Sequence, residues 1–154
     1  MQPSDRSAQI AALYQEMILD HYRKPRNKGE IANADASILM KNPLCGDEIT
    51  LHVRFEGDTV GDVGFSGRGC SISQASASMM TQVIKGKSVE EVDSLRSHFR
   101  AMVMGDASVA EDSANGSSLG SLRALSGVAR FPARVKCALL AWNALENALG
   151  QRKA

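Results

Sequence analysis

The chain has 154 residues, 44% apolar and 23% charged, enough for one domain with a buried core. A formal net charge of +1 gives no electrostatic footprint for nucleic acid, which would need a strongly basic face to neutralise phosphates, nor for an anionic membrane surface. No run of about eighteen apolar residues is free of charge, and no basic leader precedes an apolar stretch, so a soluble cytoplasmic protein with no nucleic-acid or membrane partner is expected.

Between Gln9 and Arg23, Ile10, Leu13, Tyr14, Met17 and Ile18 recur at helical spacing. Pro25 and Gly29 end this helix, and Arg23, Lys24, Arg26 and Lys28 suit the negative end of its dipole. A charged helix end therefore accounts for the basic run. From Ile49 to Phe55 the period becomes two, with Ile49, Leu51, Val53 and Phe55 alternating with polar residues, as in a strand with one buried face. A turn at Glu56 to Thr59 leads into a strand from Val60 to Phe65, and Ser37 to Lys41 completes a small antiparallel sheet, with Cys45 in the turn between its first two strands.

After Gly69 the pattern is helical through Ile72, Met79, Met80, Val83 and Ile84, with the methionines as core filler and Gly86 as the stop. A second such helix starts at Ser88, an N-cap with Glu91 three residues on, and runs through Val92, Leu95, Phe99 and Val103. Gly105 to Gly120 is rich in Ser, Gly, Ala and acids and reads as a loop or insertion. The last helix begins near Pro132 and carries Val135, Leu139, Trp142, Leu145 and Leu149. One domain over 1–154, with a loop insertion around 105–120, is expected.

Three dispersed cysteines without a CxxC pair are a poor disulfide framework, and argue against a thioredoxin-like redox site or a zinc ribbon. Cys45 sits in a turn set by Asn42, Pro43 and Gly46, with Asp47 two residues on. Cys70 sits where a strand meets a helix, so free N–H groups and the dipole favour its thiolate. Cys137 lies in the second turn of the last helix between Arg134 and Lys136, whose charges should lower its pKa. Three thiolates and a carboxylate would suit four-coordinate zinc, and the hard oxygen would make the site more exchangeable than an all-sulfur one. Spacing alone leaves open whether they converge, since a lone cysteine is commonly buried and an Asp in a Pro/Gly turn commonly only forms the turn.

The histidines offer no competing catalytic base. His52 falls on the polar side of its strand and His98 off the apolar stripe of its helix, so both are expected to face solvent, while His21 lies on the core stripe in a hydrogen-bonded structural role. Gly67 and Gly69 lack the third glycine of a dinucleotide fingerprint and serve a tight strand-to-helix turn beside Cys70.

The segments LDHYRKPRNKG from Leu19, NPLCGDEI from Asn42, GRGCSISQASASMMT from Gly67 and FPARVKCALLAW from Phe131 resemble the signature segments of the SufU branch of the IscU/NifU N-terminal family, over nearly the whole chain. The resemblance implies an α+β fold with a small three-stranded antiparallel sheet packed by helices, and a zinc site made by Cys45, Asp47, Cys70 and Cys137. It implies a zinc-dependent, sulfurtransferase-like sulfur acceptor for iron-sulfur cluster assembly. The partner would be a SufS-type, pyridoxal-phosphate-dependent cysteine desulfurase, which the protein stimulates. Its persulfide would pass to Cys45 after a partner histidine replaces that thiolate on zinc, and the sulfur would go on to downstream cluster-assembly proteins. Arg134 matches a family arginine near the site and could support the departing Cys45 thiolate. The alternative is a scaffold for a nascent iron-sulfur cluster. Against it, Lys136 stands where scaffold members carry a histidine, no LPPVK-like segment is present, and the Gly105 to Gly120 stretch resembles the insertion of the SufU branch.

Overall fold

The computed structural model describes residues 3–106 and 119–153. Helix α1 spans Pro3–Arg23, longer at its start than the apolar stripe alone indicates. Beyond Pro25 the basic run folds back on its surroundings: the Arg26 guanidinium pairs with Asp20 at 2.6 Å and its backbone N–H donates to Ser78 Oγ at 2.8 Å.

Strands β1 (Ala36–Asn42), β2 (Asp47–Glu56) and β3 (Thr59–Arg68) form an antiparallel sheet in the order β1-β2-β3. The strand period of two puts Ile38, Ile49, Leu51, Val53, Val63 and Phe65 on one buried face. The register opposes Asn42 to Asp47 and Glu48 to Arg68. The β1–β2 turn and the exit of β3 therefore lie at the same end of the sheet, which brings Cys45 and Cys70 into one neighbourhood.

Helices α2 (Ser71–Ile84) and α3 (Val89–Val103), a 3-10 helix (Gly120–Arg130) and α4 (Pro132–Lys153) complete the described chain. Ser88 caps α3 by accepting from the Glu91 N–H at 3.1 Å. Helix α4 packs against β1, β2 and α2. Its Trp142 is fully buried and stacks on Phe99, ring centroids 4.4 Å apart. The indole N–H donates to Ser76 Oγ at 3.1 Å, and that hydroxyl donates to the Ala138 carbonyl at 2.7 Å, so the ring is buried with no unmet donor. Truncating such a residue costs about 3–5 kcal/mol, which makes Trp142 a principal tie between α4 and the rest of the core. Met79 and Met80 are wholly buried, as core filler should be.

The α+β class and the three-stranded sheet agree with the sequence reading, and two local expectations do not. His52 does not face solvent: it is buried on the central strand, with Ser37 Oγ 2.9 Å from Nδ1 and Ser66 Oγ 3.3 Å from Nε2. A side chain on a central strand is enclosed from both sides by its cross-strand neighbours, and here Ser37, directly opposite on β1, and Ser66, diagonally across on β3, supply hydroxyls. His98 is likewise half-buried rather than open. A further departure is the 3-10 helix, which the helix and strand periods did not reveal. Leu119, Leu122, Leu125 and Val128 are all buried and recur every three residues, the period of a 3-10 helix, not of an α-helix. Most of the expected 105–120 loop, residues 107–118, lies outside the described residues.

Candidate metal centre

The β1–β2 turn is built around Asn42. Its carbonyl accepts from the Cys45 N–H at 3.2 Å, and its side-chain Oδ1 accepts from the Leu44 N–H at 3.3 Å. Gly46 then takes φ 70°, the left-handed region that glycine adopts without a Cβ penalty. The turn leaves Cys45 exposed and Asp47, the first residue of β2, 1% exposed.

Asp47 joins the turn to the start of α2. Its Oδ1 accepts from the Cys70 N–H at 2.8 Å, and its Oδ2 lies 3.7 Å from Cys70 Sγ. Cys70 is the N-cap residue of α2, and its sulfur accepts from the Ser73 N–H at 3.5 Å. Glycine precedes it for steric reasons: a Cβ on Gly69 would stand 2.2 Å from Asp47 Oδ1.

The third thiol arrives from α4. Cys137 is 3% exposed, with its sulfur 3.5 Å from Cys45 Sγ and 3.9 Å from Asn42 Nδ2. Ligand atoms of Cys45, Asp47 and Cys137 all lie within 4.8 Å of one another. Cys70 adjoins this group through Asp47. Edges of a tetrahedron with metal–sulfur bonds of about 2.3 Å measure about 3.8 Å, close to the spacings seen here.

The electrostatics of Cys137 reverse the sequence expectation. Burial pushes its thiol far above the ordinary range, and hydrogen bonds with Asp47 and Cys45 and the charge of Cys70 act in the same direction. Lys136 and Arg134 do not lower it, because both side chains are exposed while the sulfur faces inward; the Arg134 guanidinium sits 4.6 Å from the centroid of the Phe131 ring. Among the described residues, Arg134 makes no ion pair with the cluster. Four acidic groups thus converge without a protein cation among them. That donor set, three soft sulfurs and one hard oxygen, fits a divalent cation such as zinc, which would offset the charge that burial disfavours.

Sequence reasoning missed the double role of Asn42, read only as a turn former. It braces the Cys45 turn by two hydrogen bonds and also approaches Cys137 from another element, a contact no local pattern encodes.

An α+β domain with thiols from three elements gathered round a buried carboxylate defines a class of small metal- and sulfur-handling proteins. A model of the NifU-like N terminal domain matches residues 13–138, and the chain belongs to that family. It is 46% identical over 147 residues to the zinc-dependent sulfurtransferase SufU of Bacillus subtilis (strain 168), covering 96% of each chain. It is 43% identical to the iron-sulfur cluster assembly scaffold protein IscU of Streptococcus pyogenes serotype M1, over 89% of this chain and 82% of that one. Among solved structures, a putative iron-sulfur cluster assembly scaffold protein for the SUF system from Fervidobacterium islandicum AW-1 superposes with TM-score 0.79 at 38% identity, over 87% of this chain and 94% of that one. No helix among the described residues is long and apolar enough to cross a membrane.

Proposed function

We propose that this chain is a zinc-dependent sulfur acceptor and carrier for iron-sulfur cluster assembly, and that it takes persulfide sulfur from a pyridoxal-phosphate cysteine desulfurase. The observation that carries the reading is the asymmetry of the cluster: Cys137 and the carboxylate of Asp47 are buried, while two thiols are exposed, and of these Cys70 is held as the N-cap of α2 by the Ser73 N–H whereas Cys45 stands on a turn. A purely structural site would have no need to leave sulfur open on a turn.

Cys45, Asp47, Cys70 and Cys137 would hold the zinc. When bound, the ion keeps the thiols deprotonated and ties three elements of the fold together. Asp47 anchors the set through the Cys70 N–H, and Asn42 holds the Cys45 turn against α4. In the transfer, the Cys45 thiolate attacks the terminal sulfur of the donor's cysteine persulfide. The new S–S bond forms at Cys45, the donor's S–S bond breaks, and the donor cysteine leaves as a thiolate that takes up the proton Cys45 gave up, with no net oxidation or reduction. Arg134, exposed one turn before Cys137, supports the negative charge at Cys45 as it engages the donor.

The test is desulfurase turnover with zinc-loaded protein, wild type against Cys45→Ala, with mass spectrometry locating the added sulfur. Equal stimulation by both proteins would sink the acceptor role. The scaffold reading has one point in its favour, the similarity to proteins named as scaffolds. The residue before Cys137 weighs against it, because the ammonium of Lys136 has no lone pair to offer iron. Anaerobic reconstitution followed by rapid cluster transfer to an apo-acceptor, with zinc-loaded protein inactive, would favour the scaffold.

A further inference from the structure

Beside the cysteine cluster lies a groove of about 590 Å³ between β1, the end of α3 and the start of α4. Met40, Val103, Val135 and Leu139 give it an apolar lining, and Lys41, Arg100 and Lys136 line it with three cations. Among the described residues no acidic side chain lines the groove, and none of these three cations is in an ion pair. The chain as a whole has 18 basic and 17 acidic residues, so this local excess does not follow from overall charge.

The groove is continuous with the cluster. Asn42 lines it and also reaches toward Cys137 Sγ at 3.9 Å, and Lys136 directly precedes Cys137. Met104, which lines the groove, is 61% exposed, Phe131, next in sequence to the lining residue Pro132, 49%, and Leu44, next to Cys45, 79%. An open apolar floor lined with charge marks an interaction surface.

We propose that this groove seats an acidic, apolar segment of the cysteine desulfurase that delivers sulfur to Cys45. Apolar side chains of that segment occupy the floor, and its carboxylates face Lys41, Arg100 and Lys136. Unpaired cations at a rim raise the association rate of an acidic partner and make it sensitive to salt, while the apolar floor sets the lifetime of the complex. The proposal rests on the sulfur-acceptor reading, and names the face by which the donor is held.

The experiment titrates the full-length, zinc-loaded chain with its cysteine desulfurase by calorimetry, and measures stimulation of desulfurase turnover in parallel. The variant is Arg100→Glu with Met104→Asp, both exposed residues at the end of α3, an element that carries none of the thiols. Circular dichroism and zinc content, unchanged from wild type, certify the fold; if the double variant is misfolded, Arg100→Glu alone carries the same test. About a tenfold rise in Kd and in the concentration giving half-maximal stimulation is expected, with maximal turnover unchanged and a shallower dependence of Kd on ionic strength. A Kd within about twofold of wild type, or a tighter one, would overturn the proposal. So would a wild-type chain that does not bind the desulfurase, or one that dimerises through this face while the variant binds the desulfurase normally. Wild-type binding that weakens in the variant, without sulfur appearing on Cys45, would leave the docking face standing and remove the acceptor reading instead.

Discussion

Two polar clusters, each with a buried part, sit on this fold, and they are resolved in opposite ways. Where α1 ends against α2, Ser78 Oγ meets His21 Nδ1 and the Arg26 N–H, both at 2.8 Å, and Thr81 Oγ1 meets Asn27 Nδ2 at 3.2 Å and the Arg26 carbonyl at 3.3 Å. Donors there face acceptors, and the seam is closed. At the end of the sheet, Cys45, Asp47, Cys70 and Cys137 are acids facing acids, with Cys137 held neutral by burial unless a cation is supplied. A satisfied buried network has completed its role in folding, whereas a convergent set of like groups is incomplete without something else. The contrast separates a structural seam from a functional site without reference to any relative.

Four measurements can break or sharpen that contrast. The largest effect is expected for Cys45→Ala, which should reduce sulfur acceptance to background while changing the stability of the metal-free chain by no more than about 0.5 kcal/mol, because the side chain is exposed. Peptide mapping of the persulfide together with thermal unfolding checks both halves. Next, Asp47→Ala in the metal-loaded chain should lower bound metal and destabilise it by about 3 kcal/mol, since the Cys70 N–H loses a charged acceptor. Unchanged metal stoichiometry would remove Asp47 from the ligand set.

In the closed seam, Ser78→Ala should cost about 1–2 kcal/mol by stranding His21 and the Arg26 N–H, and it should leave metal content and sulfur acceptance alone. Loss of metal in that variant would show that the two clusters are coupled, contrary to the division drawn here. The smallest effect concerns pH. Burial, then the charge of Arg26, holds the His21 pKa below its ordinary value of 6.5 against a weaker opposing pull from Asp20. The unfolded chain therefore binds this proton more readily. The stability that neutral His21 contributes is complete above pH 6.5 and is lost as pH falls below that value toward the folded-state pKa. Denaturant midpoints for wild type and His21→Asn should diverge less at pH 5.5 than at pH 7.5, and parallel curves would exclude His21 as the cause.

Much of the fold was legible locally, because the features that encode it are local. The hairpin turn around Cys45, the N-cap of α3 at Ser88 and the start of α4 at Pro132 each follow from turn chemistry, capping and periodicity within a few residues. The context of Cys70 at a helix start was legible in the same way, and so was the structural role of His21. The 3-10 helix escaped because its period of three matches neither template, and the surroundings of His52 escaped because they depend on which residues the neighbouring strands place beside it.

The candidate site divides along the same line. By itself the sequence determined the candidate donor types, their turn and helix-end settings, and through resemblance the expectation that they meet. Only the tertiary structure decided how they meet. The pairing of Asn42 with Asp47 and of Glu48 with Arg68 sets Cys45, Asp47 and Cys70 at one end of the sheet, and the packing of α4 on β1 and β2 delivers Cys137 from 92 positions beyond Cys45. The same packing buried Cys137 and left Cys45 open, against the expectation that flanking cations would govern the Cys137 thiol. Neighbouring charges in a sequence act through solvent, whereas desolvation depends on everything the fold brings around a group, which no short segment contains.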